Sequence, residues 1–126
     1  MSETDERYRQ RLGRRGEDLA AEYLADRGYR VIERNVRRRE GEIDLIAVHE
    51  KTLVFVEVKL RSPGQFGGAI EALTSRKQRR LRELAAAYSA DHPELPADLR
   101  IDVVAIDLEP DGDVGALQHV ESAIEE

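Results

Sequence analysis

EIDLIAVHEKTLVFVEVKL, running from Glu42 to Leu60, holds two short runs of branched apolar residues. EIDLIAV (Glu42–Val48) and LVFVEVKL (Leu53–Leu60) have the length and composition of β-strands, and the polar link His49-Glu50-Lys51-Thr52 makes them a hairpin. With the turn centred between Glu50 and Lys51, paired residue numbers sum to 101, whether the loop has two residues or four. Asp44 then faces Glu57, and Glu42 faces Lys59. Side chains two apart on a strand share a face, so Glu57 and Lys59 point the same way. Facing carboxylates on adjacent strands repel unless something compensates them, and a divalent cation does so. An unpaired charge in an apolar strand costs several kcal/mol, which argues for a function. The alternative is a solvated sheet face on which Lys59 pairs with Glu42 or Glu57.

Outward from the hairpin, the N-terminal side reads as a helix from near Gly13 to Arg27, with Leu12, Leu19, Ala20, Tyr23 and Leu24 on one face. Gly28 stands just past its end, where a left-handed residue is wanted. YRVIERNV (Tyr29–Val36) reads as a strand and RRREG (Arg37–Gly41) as a basic turn. On the C-terminal side, Arg61–Leu73 holds three glycines and a proline and reads as a loop, with a helical turn near Ala69–Leu73. Thr74 caps a helix running to about Ala90, with Leu81, Leu84, Ala85 and Tyr88 as its core stripe. Pro93 and Pro96 mark a loop, RIDVVAIDL (Arg100–Leu108) a strand, Pro110–Asp113 a turn, and the remainder a short, weakly apolar strand or tail. The order helix-strand-strand-strand-helix-strand implies an α/β fold of the α+β kind, a mixed sheet flanked by helices. Residues 1–12 are expected as a flexible lead-in, 13–120 as one domain, and 121–126 as an acidic tail.

The 126-residue chain is 40% apolar and 37% charged, a composition that suits one compact unit with a densely charged surface. The absence of cysteine excludes a disulfide framework, a thiolate zinc site and a cysteine nucleophile. No apolar run reaches the roughly 20 residues of a bilayer span, so no membrane association is expected, and the cytoplasm is the expected setting. The net charge of −6 hides an asymmetry: residues 1–82 carry 19 basic and 14 acidic side chains, residues 83–126 one and 12. Seventeen of the 20 basic residues are Arg, which suits bidentate phosphate contact, although a solvated charged surface gives the same count.

Helix geometry adds a third acid. At 100° per residue Glu17 lies about 20° from Leu24, at the edge of the buried stripe, although a first-turn Glu also simply favours the helix dipole. Lys77 falls between Leu81 and Leu84 on the inner side of its helix, where snorkelling is the commoner reading for a Lys.

GRRGEDLAAEYLADRGYRVIERNVRRREGEIDLIAV, LVFVEVKLRS and FGGAIEALTSRKQRRL together resemble the YraN family of small bacterial proteins, similar in pattern to Holliday-junction resolvases and restriction-endonuclease-like PD-(D/E)XK nucleases. The likeness covers roughly Gly13 to Ile106. Ile43 precedes Asp44 where the pattern often has Pro, and Leu60 stands where it usually has Thr. The resemblance implies a restriction-endonuclease-like core and a metal-dependent DNA endonuclease acting on branched or damaged DNA. Glu17, Asp44, Glu57 and Lys59 are then its catalytic set. Asp44 and Glu57, with the Val58 carbonyl as a third oxygen, would hold Mg²⁺ or Mn²⁺. Lys59 would orient or deprotonate the attacking water. Arg37, Arg38 and Arg39, with Arg76, Lys77, Arg79 and Arg80, are the candidate nucleic-acid contacts. Cutting two strands points to a homodimer. The competing reading keeps the fold and drops the chemistry, leaving a catalytically silent nucleic-acid-binding or partner-binding module.

Overall fold

A computed structural model describes residues 3–61 and 74–124; for residues 3–13 other than Arg7 only the backbone is described. The chain runs α1 (Glu3–Asp26), β1 (Arg30–Arg38), β2 (Gly41–His49), β3 (Thr52–Arg61), α2 (Ser75–Asp91), β4 (Asp98–Leu108) and β5 (Val114–Ile124). One five-stranded sheet takes the strands in chain order. β3 and β4 pair in parallel, and every other neighbour pair is antiparallel. Parallel neighbours need a long crossover, and α2 lies within the segment that provides it.

Strict alternation along β3 builds both faces. Leu53 and Phe55 pack under Leu81, Leu84, Ala85 and Tyr88 of α2, with Ile46, Ile101 and Val103 beside them. Val54 and Val56 pack under Ala20 and Leu24 of α1, with Leu45, Ala47, Val104 and Ile106. A strand buried on both faces must be continuously apolar, which is why LVFV shows no polar alternation. The same alternation carries Glu57 to the α2 side and sends Val58 and Leu60 to the α1 side.

Helix ends follow their local chemistry. Gly28 takes φ of 86°, and its N–H donates to the Ala25 carbonyl while the Tyr29 N–H donates to that of Leu24. This pair of bonds closes the helix C-terminus, and Tyr29 packs in the same cluster as Leu24. At the other helix, the Thr74 hydroxyl accepts the Lys77 N–H at 3.1 Å.

Three expectations change. α1 begins at Glu3, not near Gly13, so residues 3–12 belong to the helix; the side chain of Leu12 lies outside the description. The basic turn is shorter than expected, since Arg37 and Arg38 pair with Glu42 and Gly41 inside the β1–β2 ladder. The C-terminal segment is a full strand of 11 residues that pairs along β4 and takes in residues 121–124 of the expected tail. Its weak pattern is that of a half-exposed edge strand. The helical turn expected near Ala69–Leu73 lies outside the described residues. Among those described, no helix is long and apolar enough to cross a membrane.

Candidate active site

The β2–β3 register sums to 101, from His49↔Thr52 at the turn to Leu45↔Val56 at the last rung. Asp44 and Glu57 are the next residue on each strand. β3 stays supported on its other side, where β4 pairs with it through Arg61↔Asp107. Past its last rung with β2, β3 offers the Val58 N–H, and the Asp44 carboxylate accepts it at 2.7 Å. That bond ties the Asp44 side chain to the backbone between Glu57 and Lys59.

Asp44 and Glu57 line one cavity of about 490 Å³, together with Gly41, Glu42 and, from α2 and its cap, Thr74, Arg76, Lys77 and Arg80. Glu57 is a rare buried acid, 8% exposed, and its Oε1 lies 2.8 Å from Lys77 Nζ. Burial, then the charge on Glu57, pushes the Asp44 carboxyl from 3.8 up to about 7. Glu17 and Glu42 add to the rise, and the Val58 N–H opposes it. Carboxylates are thus gathered around a half-buried Asp whose ionised form is poorly compensated. A divalent cation with a taste for hard oxygen ligands suits that charge and those donors. Among the described residues no three His, Asp or Glu side chains converge at ligating distance.

Glu17 is half-buried on α1 and acts on Asp44 through its charge. Its position depends on Gly16, whose buried backbone meets β3 so closely that a Cβ there would stand 3.0 Å from Leu60 Cδ2. Leu60, odd against the nuclease pattern, is therefore the side chain on which α1 rests at Gly16. Lys59 is half-buried, two residues beyond Glu57 on the same strand. Glu42 does not pair with it: Glu42 Oε1 lies 3.5 Å from Arg37 Nε, its partner across the β1–β2 ladder. Lys77, instead, is the lysine on Glu57.

Of the candidate phosphate contacts, Arg76, Lys77 and Arg80 line the cavity. Arg79 is exposed on α2 and Arg39 at the β1–β2 turn, outside the cavity lining. Arg37 is held by Glu42, and Arg38 pairs with Asp91 while lying 5.3 Å over the Tyr88 ring.

Residues 16–106 match the model of uncharacterised protein family UPF0102. The chain belongs to this family. UPF0102 proteins from Parafrankia sp. (strain EAN1pec) and Clavibacter michiganensis are 47% and 48% identical to it, over 86% and 90% of this chain and 92% and 96% of theirs. One from Symbiobacterium thermophilum is 52% identical over 81% of this chain and 86% of its own. The resemblance to the YraN family stands on the same residues. The solved structure of Pyrococcus furiosus SfsA in complex with Ca²⁺ aligns with a TM-score of 0.43 at 18% identity, over 93% of this chain and 65% of that one. At that score the likeness carries no argument. The span matched to UPF0102 includes Glu17, Asp44, Glu57, Lys59 and Lys77 and stops before β5.

A second buried acid in this UPF0102 chain escaped sequence reasoning. Asp102 on β4 is fully buried and accepts from Arg100 Nε at 2.9 Å, Arg100 Nη2 at 3.0 Å and the Ser122 N–H at 3.0 Å, with His119 Nε2 at 2.8 Å. Burial alone would raise its pKa; the bonds from His119, Arg100 and Ser122 outweigh it and hold the carboxyl below its ordinary value. Two of these partners sit on β5, so Asp102 fastens the edge strand. An Asp two residues after Arg100, near the start of RIDVVAIDL, was its one sequence signal.

Proposed function

We propose that the chain is a metal-dependent endonuclease that hydrolyses phosphodiester bonds in DNA, with branched or damaged DNA as its substrate. The observation that carries the reading is a single cavity with half-buried Asp44 and buried Glu57 in its wall and Arg76, Lys77 and Arg80 along α2 beside them. Acids that suit a cation, next to cations that suit phosphate, make a site for a phosphodiester.

Asp44 and Glu57 would hold Mg²⁺ or Mn²⁺, with the Val58 carbonyl as a third oxygen. A bound divalent ion supplies Lewis-acid stabilisation of phosphoryl charge and an acidified water. Asp44 is oriented for this by the Val58 N–H, which leaves its other oxygen free of that bond. Arg76 and Arg80, exposed on α2, bind the non-bridging oxygens and position the backbone. Lys59 orients the attacking water and offsets charge as the new P–O bond forms and the bond to the leaving oxygen breaks. Glu17 adds negative charge behind Asp44 and deepens the preference for a cation. Phosphate contacts of this kind bring affinity without sequence choice.

Incubation with linear duplex, single-stranded and four-way-junction DNA in Mg²⁺ or Mn²⁺ tests the reading. Cleavage by the wild type that disappears in Asp44→Ala and Lys59→Ala supports it; equal cleavage by all three, or none by any, overturns it.

A second reading has its own observation, the Lys77–Glu57 ion pair at 2.8 Å, in which Glu57 already has a counter-charge. In that reading the chain is a catalytically silent nucleic-acid-binding module. DNA affinity that falls with salt and is unmoved by removal of divalent metal would favour it.

A further inference from the structure

We propose that Lys77 is a place-holding cation that occupies Glu57 in the metal-free protein, yields Glu57 when a divalent ion arrives, and is thereby released to the phosphate of the incoming nucleic acid. The inference rests on the nuclease reading and adds to it a coupling between metal and substrate.

The choice of residue is the first argument. This chain is rich in arginine, 17 of its 20 basic residues, and it uses Arg to clamp its structural carboxylates. Arg100 grips Asp102 through two nitrogens at 2.9 and 3.0 Å, and Arg61 grips Asp107 through two at 2.5 and 3.0 Å. Arg34 and Arg38 hold Asp18 and Asp91. Among the described residues only Glu57 has a lysine as its ion-pair partner, through one contact at 2.8 Å. A guanidinium fork is made for a permanent bidentate pair, whereas an ammonium is a hydrated point charge on a flexible stem. Where a cation must later be exchanged for another, the second is the suitable one.

Position is the second argument. The Lys77 backbone is fixed, because its N–H donates to Thr74 Oγ1 in the helix cap. Its side chain is 39% exposed while that of Glu57 is 10% exposed, so the ammonium has solvent to move into and the carboxylate does not. Arg76 and Arg80 line the same cavity, so a released Lys77 joins two cations already placed for phosphate. A cation that leaves Glu57 therefore gains a use without any backbone movement.

Linkage makes the consequence measurable. If Lys77 is released by metal and engaged by phosphate, metal and nucleic acid tighten each other's binding by the same factor. Removing Lys77 should raise metal affinity, since the competitor is gone, and should lower the coupling, since the released cation is gone. A salt bridge that metal does not displace would leave the coupling between metal and nucleic acid unchanged.

Isothermal titration of Mn²⁺ into the full chain, wild type against Lys77→Met, Lys77→Arg and Glu57→Gln, is the first half of the test. A Kd for Mn²⁺ at least about fivefold tighter in Lys77→Met, with Lys77→Arg no tighter than wild type, is expected. The second half measures binding of a short DNA duplex with and without Ca²⁺. Wild type should bind more tightly with Ca²⁺, and Lys77→Met should lose most of that gain. Circular dichroism melts identify any variant that fails to fold; if Lys77→Met does so, Lys77→Gln takes its place in both assays. Unchanged or weaker Mn²⁺ affinity in a folded variant lacking the ammonium, where Glu57→Gln abolishes binding, overturns the place-holder and leaves the nuclease reading intact. No Mn²⁺ binding by wild type or by the variant lacking the ammonium overturns both.

Discussion

The Asp44 carboxylate accepts the Val58 N–H at 2.7 Å, just past the last rung of the β2–β3 ladder. A ladder bond is thus followed by a side-chain bond, and the acid it places is half-buried beside Glu57. The arrangement holds a carboxylate where folding alone gains nothing from its charge.

Asp44→Asn keeps an oxygen for the Val58 N–H and removes the charge. At pH 8 without metal the variant should be more stable than wild type by about 1–3 kcal/mol, because a half-buried anion among other carboxylates is relieved. It should also lose Mn²⁺ binding and cleavage, the latter by at least about 100-fold. Denaturant melts and calorimetry read the two effects separately.

A raised carboxyl pKa makes stability fall with rising pH. Asp44 is held up at about 7 against an ordinary 3.8, so the folded state binds its proton more tightly than the unfolded chain. The stabilising contribution is complete below the unfolded value and is lost as pH rises through about 7. In metal-free protein the melting temperature should therefore drift down across that window, less so in Asp44→Asn. Added Mg²⁺ should raise it more at pH 8 than at pH 5, as measured by thermal shift.

Asp102→Ala leaves Arg100 and His119 facing an empty site. Breaking a buried charged network of this kind costs about 3–5 kcal/mol, and the loss should show as earlier unfolding in urea. Asp102 contributes in the opposite direction to Asp44: its lowered pKa gives stability that is present above its unfolded value and lost as pH falls through the folded one.

Gly16→Leu forces a side chain into the contact with Leu60. Overpacking of this sort costs about 1–3 kcal/mol, and Leu60→Ala in the same chain should return part of it. Because Gly16 seats the helix that carries Glu17, the single variant should also lower cleavage. A double-mutant cycle on melts and rates checks both.

Arg76→Ala with Arg80→Ala should weaken DNA binding without selecting among sequences. Each lost phosphate contact lowers the slope of log K against log salt by about 0.9. A salt titration of the double variant against wild type measures it.

The hairpin was legible because its evidence is local. Two apolar runs around a polar link set the register, and the observed pairs sum to 101 as that symmetry requires. Gly28 past α1 and Thr74 before α2 were legible for the same reason, since each satisfies backbone groups of its own helix. β5 was not, because an edge strand is half exposed and borrows its order from β4 and Asp102. The expected facing of Glu42 and Lys59 does not form, for a reason outside the hairpin: the ladder stops at Leu45↔Val56, and Arg37 on β1 takes Glu42.

By itself the sequence determined the element types as far as β4, the β2–β3 register and the family, since periodicity, capping and hairpin symmetry act within a few residues of each other. Only the tertiary structure decided that Asp44 bonds the Val58 N–H, that Gly16 and Leu60 seat Glu17, and that Lys77 rests on Glu57. These contacts join separate elements. Which cation reaches a buried carboxylate depends on how α2 lies across the sheet, and no stretch of sequence contains that distance.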